Sequence, residues 1–269
     1  MPSISVTPRR SEERGQANHG WLKTFHTFAF ASYHTEQHSQ FGSLRVINED
    51  RVEAHTGFGL HPHAEFEIFT YVISGQLEHR DSMGNVEILG RGDLQMTSTG
   101  TGIRHSEKTY GEVQTHFLQI WALPNKSRLP PQYYTRHFTD EEKKDNWVRV
   151  VAPVTDDGVT DKREAAGPAP VHGTITMFAT LLSPNASVSQ TFPKSSKSSP
   201  RKGYIHFAQT SGYNIGPASG GQIDVAGADG PTTQLKEGDG AYAVAESGAE
   251  ITVTNTGDSV AEVLLWLID

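Results

Sequence analysis

The sequence predicts an all-β protein, and three observations support that prediction. The 26 glycines and 14 prolines are spread along 269 residues, which is typical of frequent turns between strands. Short β-rich runs follow one another across residues 43–123, and a helical period is hard to find among them. Strands of this length and spacing favour an antiparallel sandwich or barrel.

The individual strands are delimited by turn residues. Candidate strands cover residues 44–48, 67–73, 76–80, 86–89, 94–97 and 116–123, and strand patterns resume at 174–182, 203–209 and 260–268. Residues 81–85, Asp-Ser-Met-Gly-Asn, predict a chain reversal between two of them. The one clear helical signal lies at residues 139–144, where Thr139 and Glu142 can form a capping box. We expect that helix to be a short connector.

A weak internal repeat predicts two domains of one fold. The chain is long enough for two domains or one large one. The segments Arg91-Gly92-Asp93-Leu94 and Glu237-Gly238-Asp239-Gly240 each precede an apolar stretch, at an offset of 146 residues from Gly92 to Gly238. Residues 152–170 have the composition of a loop. We therefore predict an N-terminal domain at residues 1–137 and a C-terminal domain at 138–269.

Composition excludes several classes of protein. The 23 Lys and Arg against 31 Asp and Glu leave a net charge of −8, which argues against nucleic acid as a direct partner. Because the chain has no cysteine, disulfide scaffolds, thiolate metal sites and cysteine nucleophiles are excluded. The N-terminus lacks a secretory apolar core, and the longest apolar run, residues 263–268, is far shorter than the roughly 20 residues of a membrane helix. We expect a soluble cytoplasmic protein.

Two pairs of potential metal ligands occur in the N-terminal half. His61 and His63 follow a glycine-containing approach at residues 56–60, and His105 and Glu107 follow a second one at 99–104. On a strand, residues i and i+2 project from the same face, so each pair directs two ligands into one space. If the two strands are neighbours, three imidazoles and one carboxylate converge, a set that suits Fe(II), Ni(II), Cu(II) or Mn(II). Chance pairing among 13 histidines is the alternative.

The motifs around these pairs resemble the metal-binding domain of the pirin family. The resemblance covers about residues 17–123 and rests on Gly59-Leu60-His61-Pro62-His63, on residues 19–30, 41–50, 75–85 and 92–95, and on the run from Gly100 to Glu107. It is greater for bacterial pirins with quercetin 2,3-dioxygenase activity than for the animal nuclear proteins. It implies a bicupin, two tandem jelly-roll-like cupin barrels with one metal, usually iron, in the N-terminal barrel.

The resemblance also implies residue roles. The pirin ligands correspond here to His61, His63, His105 and Glu107. Many cupins place a ligand at the position of Glu67, but pirins do not, so we interpret Glu67 as a strand residue or a support for a ligand. Ala64-Glu65 departs from pirins that carry Arg followed by a small or acidic residue, which alters the charge at the pocket mouth.

The activity that the resemblance implies is cleavage of a flavonol such as quercetin by O2, with release of carbon monoxide. The 3-hydroxyl and the neighbouring oxygen would bind the metal, and Glu107 would receive or orient the hydroxyl proton as general base. Candidate residues lining the entry are Phe58, Phe69 and Trp121, for which core packing is the alternative. Ordinary N-terminal packing is the alternative to a lid or supporting role for His19, Trp21 and His26.

Two other functions would use the same ligands. One is a non-catalytic, iron-binding redox sensor that meets transcription factors, as animal pirins are thought to be, in the cytoplasm or also the nucleus. The basic Ser/Lys-rich loop at residues 193–202 would then be a docking or phosphorylation segment, and is otherwise a solvated loop. The other is a metal-assisted isomerase, or another cupin enzyme, acting on a small phenol or enol.

The predicted C-terminal barrel has no equivalent ligand set. Adding the repeat offset of 146 residues to the four ligand positions reaches Phe207, Gln209, Ile251 and Val253. No His-x-His or His-x-Glu pair occurs at or beside these positions. We therefore predict that the C-terminal barrel is metal-free and structural.

Overall fold

The computed structural model describes residues 2–194, 199–209, 220–228 and 230–268. Its described residues pack into two units, each made of separate chain segments. The N-terminal unit comprises Gly15–Phe138 and Val150–Ile175, and the C-terminal unit comprises Met1–Arg14, Thr139–Arg149 and Thr176–Asp269. The basic loop predicted at residues 193–202 falls partly outside the described residues, so its role stays a prediction.

Two antiparallel sheets form most of the N-terminal unit. Its strands are β2 (Gly15–Asn18), β3 (Leu22–His26), β4 (Leu44–Val52), β5 (Gly57–His63), β6 (Glu67–Ser74), β7 (Leu77–Asp81), β8 (Val86–Leu89), β9 (Asp93–Ser98), β10 (Ile103–Thr109), β11 (Thr115–Ala122) and β12 (Gln132–His137). The larger sheet has the order β12-β9-β6-β11-β4-β3-β2, and the smaller has the order β5-β10-β7-β8. Further along, β13 (Val148–Pro153) pairs in parallel with β14 (Ala169–Val171).

The C-terminal unit repeats this arrangement with fewer strands. Its strands are β1 (Ile4–Arg9), β15 (Thr176–Leu182), β16 (Ser187–Thr191), β17 (Arg201–Phe207), β18 (Gln222–Gly227), β19 (Thr233–Lys236), β20 (Gly240–Ala245), β21 (Glu250–Asn255) and β22 (Ala261–Ile268). One sheet contains the run β1-β20-β17-β22-β15, and the other has the order β16-β21-β18-β19. All eight residues of β22 are buried, as expected for a central strand covered on both faces. The prediction of an all-β fold is confirmed.

The unit boundaries differ from the predicted division at residues 137/138. Residues at the N-terminus belong to the C-terminal unit because β1 pairs with β20, in the register Ile4↔Ala245 to Arg9↔Gly240. Beyond β1, Arg10 Nη1 donates to Asp239 Oδ2 at 2.9 Å, and the backbone N–H of Ser11 donates to Asp239 Oδ1 at 2.8 Å. Strand pairing over this separation in sequence has no local signal, so the sequence alone did not predict it.

The short predicted helix is present as α1 (Asp140–Lys143). The Thr139 hydroxyl accepts from the backbone N–H of Glu142 at 3.2 Å, and the Glu142 carboxylate accepts from the backbone N–H of Thr139 at 2.7 Å. This reciprocal pair is the predicted capping box. In the part of the chain that the structure describes, no helix is long and apolar enough to cross a membrane.

The Gly-Asp repeat corresponds to the same turn in both units. Asp93 Oδ2 accepts from the backbone N–H of Gly90 at 2.7 Å, and Asp239 Oδ2 accepts from the backbone N–H of Lys236 at 3.0 Å. The intervening glycines, Gly92 and Gly238, have φ of +87° and +82°, a region that favours glycine. The repeat is therefore structural, and each turn introduces a strand that pairs within its own unit.

Candidate metal centre

The two predicted ligand pairs lie on neighbouring strands. β10 pairs antiparallel with β5 so that His105 is opposite His61 and Ile103 is opposite His63. A β-bulge shifts the register between His105 and Glu107, which comes to lie opposite Phe58. Side chains of β10 alternate between buried and exposed, and both His105 and Glu107 are on the buried face. The two strands that carry the candidate ligands are therefore neighbours, which is the condition for the four side chains to converge.

Three imidazole rings meet at this point of the sheet. The ring centroids of His61, His63 and His105 are 4.5–4.8 Å apart in every pair. His61 Nε2 and His105 Nε2 are 3.1 Å apart, and one ligand nitrogen from each of the three rings lies within 4.8 Å of the others. Such a cluster can hold a divalent transition metal.

The tautomer of His61 favours metal binding. Its Nδ1 lies 2.7 Å from the carbonyl oxygen of Gly59. Since a carbonyl only accepts, the proton sits on Nδ1 and the Nε2 lone pair points to the other imidazoles.

Burial, followed by the charges of neighbouring histidines, lowers the pKa of His63 to about 4. Burial is also the main cause that lowers the pKa of His105 to about 4, so both rings are neutral at pH 7.

Glu107 is fully buried and is held by donors from three strands. Thr70 Oγ1 on β6 donates to Glu107 Oε1 at 3.3 Å, Gln119 Nε2 on β11 donates to Oε2 at 2.9 Å, and Gln95 Nε2 on β9 donates to Oε1. Burial raises the pKa of Glu107, but the interaction with His79 and the charge of His105 lower it by more, to about 2. The carboxylate is therefore ionised and oriented at neutral pH.

His79 lies behind Glu107 and was not predicted as a site residue. It is completely buried on β7, with Nε2 at 3.3 Å from Asp81 Oδ2 and Nδ1 at 3.9 Å from Glu107 Oε1. Burial lowers the pKa of His79, but these two carboxylates raise it by more, to about 9. The Tyr133 ring stacks on it at a centroid distance of 4.8 Å. Its His-x-Asp spacing with Asp81 was the available sequence signal.

A cavity of about 650 Å³ opens beside the histidines. His61, His63, Glu107 and Gln119 form one part of its lining. Aromatic pairs form another part, since Trp21 contacts Phe58 edge to face at 5.2 Å and Phe30 contacts Trp121 at 5.6 Å. The cavity has the size and the mixed apolar and polar lining of a small-molecule site.

The structure shows which of the other candidate residues line the cavity. Phe58, Trp121, His19, Trp21 and His26 all line the cavity. Phe69 does not line it and packs in the core, which was the other role considered for this residue. It is 1% exposed, and its neighbour Thr70 is the β6 side chain that faces Glu107, so Phe69 points to the opposite face of the strand.

Glu67 points away from the site, on the same strand face as Phe69. Its carboxylate accepts from the Ser98 hydroxyl at 2.8 Å and from the backbone N–H of His172 at 3.3 Å. This agrees with the interpretation of Glu67 as a strand residue.

The three donors to Glu107, which are Thr70, Gln95 and Gln119, carried no recognisable sequence signal. Each belongs to a different strand, and only the sheet register brings them together.

The C-terminal unit has apolar residues where the N-terminal unit has the cluster. On β21, Ile251 and Val253 are completely buried in its hydrophobic core. β16 pairs with β21 in the way that β5 pairs with β10. In that register, Gln190 is opposite Ile251 and Val188 is opposite Val253. The offset of 146 therefore does not apply to His61 and His63. The expectation that they correspond to Phe207 and Gln209 was wrong because the chain between β16 and β21 is longer than the chain between β5 and β10. β16, Ser-Val-Ser-Gln-Thr, contains no histidine.

The residues present fit a bound metal. Three imidazoles are a donor set for a first-row transition ion, and Glu107 adds an ionised carboxylate on the same strand as His105. His105 Nδ1 is buried without a hydrogen-bond partner among the described residues. When His105 Nε2 bonds a metal, its proton can reside on that Nδ1.

Comparison with known proteins gives a consistent result. The family profile described as Pirin matches residues 7–122. Quercetin 2,3-dioxygenase of Escherichia coli K12 is 50% identical over 131 residues, which cover 48% of this chain and 57% of that protein. A relative from Zymomonas mobilis, provisionally named as a quercetin 2,3-dioxygenase, is 39% identical over 177 residues, which cover 66% of this chain and 72% of that protein.

A solved structure extends the likeness to both units. The crystal structure of bacterial pirin YhhW from Escherichia coli, in complex with nickel(II), has a TM-score of 0.78 and 32% identity, and covers 98% of this chain and 99% of that one. Two β-barrel units in tandem, with a three-histidine cluster in the N-terminal unit, define a bicupin. The chain belongs to the pirin family, as its motifs predicted.

Proposed function

We propose that this chain is a metal-dependent dioxygenase that cleaves a flavonol such as quercetin. The observation that carries the proposal is the convergence of His61, His63 and His105 beside a cavity of about 650 Å³ that Glu107 also lines. The name of the Escherichia coli relative supports the activity, and 57% of that relative is matched. The nickel(II) bound by the bacterial pirin YhhW supports a metal requirement.

Four residues would hold the metal, namely His61, His63, His105 and Glu107. Fe(II) is the first candidate, with Ni, Cu or Mn as alternatives, because imidazole and carboxylate ligands serve all of them. Held by these residues, a divalent ion would supply Lewis-acid chemistry that lowers the pKa of a substrate hydroxyl.

Glu107 would orient the flavonol hydroxyl and receive its proton. An ionised carboxylate accepts a hydrogen bond from a hydroxyl, and the donors Gln95 and Gln119 keep its oxygens in place. A carboxyl whose pKa is about 2 is a weak base, so Glu107 would receive a proton only from a hydroxyl whose own pKa is strongly lowered. The balanced reaction consumes one O2 per flavonol, opens the central ring and releases one carbon monoxide.

The aromatic part of the lining suits a planar substrate. Edge-to-face pairs at 5.2 and 5.6 Å present apolar surfaces on which fused rings can pack. These surfaces would also exclude water from the activated substrate, which protects it from side reactions.

The test combines metal analysis with oxygen consumption on quercetin. We expect about one metal per chain and metal-dependent loss of quercetin in the unsubstituted protein. In His61→Ala or Glu107→Ala we expect loss of metal or of activity in a folded protein, because most of the core does not depend on the site. His55→Ala is the matched control, since His55 is exposed and pairs only with Glu112.

The outcomes separate the candidate functions. Full metal content in His61→Ala would contradict the ligand assignment. Bound metal without quercetin turnover would contradict the dioxygenase proposal and favour the redox-sensing regulator or another substrate. Carbon monoxide release in proportion to oxygen consumed would distinguish ring cleavage from isomerisation, which consumes no oxygen.

A further inference from the structure

A row of polar side chains crosses the larger sheet of the N-terminal unit at the level of Glu107. Paired positions follow one another across five strands: Gln95 on β9, Thr70 on β6, Gln119 on β11, Asn48 on β4 and His26 on β3. Side chains at paired positions project from the same face of a sheet, so the row forms one continuous polar strip. The first three of these residues hold Glu107.

Near the other end of the row, Asn48 and Thr24 are buried and keep hydrogen-bonding capacity that no described residue uses. His26 Nδ1 donates to Asn48 Oδ1 at 2.9 Å, and no hydrogen bond joins the described side chains of Asn48 and Gln119. The Asn48 amide therefore keeps its Nδ2 donors without a partner among the described residues. Thr24 Oγ1 has only a 3.5 Å contact with His26 Nδ1. Thr24 and Asn48 are each 3% exposed.

Both of these residues line the same cavity as the histidine cluster. Asp50, whose position pairs with Thr24, also lines it, which makes this wall polar over two successive rows of the sheet. Buried donors and acceptors are costly to leave unpaired. A ligand that offers hydroxyl groups to this wall would remove that cost.

We infer that Thr24, His26 and Asn48 form a subsite for hydroxyl groups that the substrate carries outside its metal-chelating pair. The inference rests on the proposed function and specifies its substrate class as polyhydroxylated planar phenols rather than any flavonol. The Trp21–Phe58 and Phe30–Trp121 pairs would contact the ring faces, while this wall would contact the ring edge. A site built to hydrogen-bond hydroxyls discriminates strongly against analogues that lack them.

The test measures binding of two probes to metal-loaded protein by calorimetry. Quercetin and 3-hydroxyflavone share the chelating oxygen pair, but only quercetin carries further hydroxyls. We expect Thr24→Val and Asn48→Leu each to weaken quercetin binding about 3- to 10-fold, the effect of one hydrogen bond, and to change 3-hydroxyflavone binding less than 2-fold. Thr254→Val on β21 in the C-terminal unit is the control, since its hydroxyl contacts only Ser187.

Each outcome has a distinct meaning. The subsite proposal would be overturned if the two variants bound both probes equally more weakly, or if their affinity for quercetin were unchanged. This holds even if the protein turns quercetin over. If the variants lost affinity for quercetin alone and the unsubstituted protein did not turn quercetin over, the subsite would be supported and the dioxygenase proposal contradicted. If neither probe binds, both proposals fail. Metal content and thermal melting identify a variant that does not fold, in which case Asn48→Ser, a smaller change, replaces Asn48→Leu.

Discussion

At the residue scale, the candidate centre depends on side chains other than the four proposed ligands. The Thr70 hydroxyl shares its single proton between Glu107 Oε1 and Gln119 Oε1, which is 3.0 Å away. Gln119 Nε2 donates to Glu107 Oε2 at 2.9 Å, so the Gln119 amide has one orientation. Gln95 is fixed in turn by the Tyr133 hydroxyl, which donates to it at 3.0 Å. Glu107 therefore has a defined carboxylate plane before any ligand binds.

Gln119→Leu should lower kcat on quercetin about 10-fold or more and leave KM and metal content nearly unchanged. The substitution removes a hydrogen bond to a charged group, which contributes about 1.5–3 kcal/mol, without removing a ligand. Steady-state kinetics and elemental analysis measure the effect. Gln190→Leu on β16, whose amide contacts only the backbone of Thr191, is the control. A parallel loss of metal would show that Gln119 acts on loading instead.

At the scale of elements, the turn before β10 positions His105 and Glu107. Gly100 has φ of +42°, and a Cβ there would overlap the carbonyl oxygen of Leu129. Two neighbouring backbone bonds hold the turn, from Thr101 N–H to Leu129 O at 3.0 Å and from Gly102 N–H to Thr99 O at 2.8 Å. Glycine is therefore required by both conformation and space.

Gly100→Ala should lower the free energy of unfolding by more than about 2 kcal/mol, since backbone strain and a steric clash both contribute. Gly84→Ala is the matched control because Gly84 also has a positive φ, +89°, but has no atom within 4 Å of the added methyl group. It should cost about 1 kcal/mol. Urea denaturation of both variants measures the difference, and equal losses would contradict the role of the close approach.

At the scale of the whole molecule, one fold occurs twice, and among the described residues only the N-terminal copy has the histidine cluster. The C-terminal unit has a continuous core in which Ile251 and Val253 are completely buried among residues such as Phe192 and Phe207. That unit therefore has apolar side chains at the β21 positions that correspond to His105 and Glu107. Its function is structural in this interpretation, which includes anchoring β1.

Val253→Glu should destabilise the C-terminal unit by several kcal/mol rather than create a metal site. A carboxylate at that position would be buried in an apolar core with no donors comparable to those around Glu107. Val244→Glu on β20 is the control, because Val244 is 41% exposed and the charge would reach solvent. Guanidinium unfolding monitored by circular dichroism compares them. Near-equal stability of the two variants would contradict this account.

The sequence by itself determined the features that depend on neighbouring residues. Period-two spacing identified the His61/His63 and His105/Glu107 pairs, turn residues delimited strands such as β8, and the capping box identified α1. The family followed from motifs that are each continuous in the chain.

Only the tertiary structure decided which distant residues meet. Pairing of β1 with β20 assigned the N-terminus to the C-terminal unit, and sheet register aligned Gln95, Thr70, Gln119, Asn48 and His26 into one polar row. Strand order joins segments separated by tens to hundreds of residues, and a shift of one residue reverses the face of every side chain. No local pattern encodes that choice, because it depends on the packing of all the strands together.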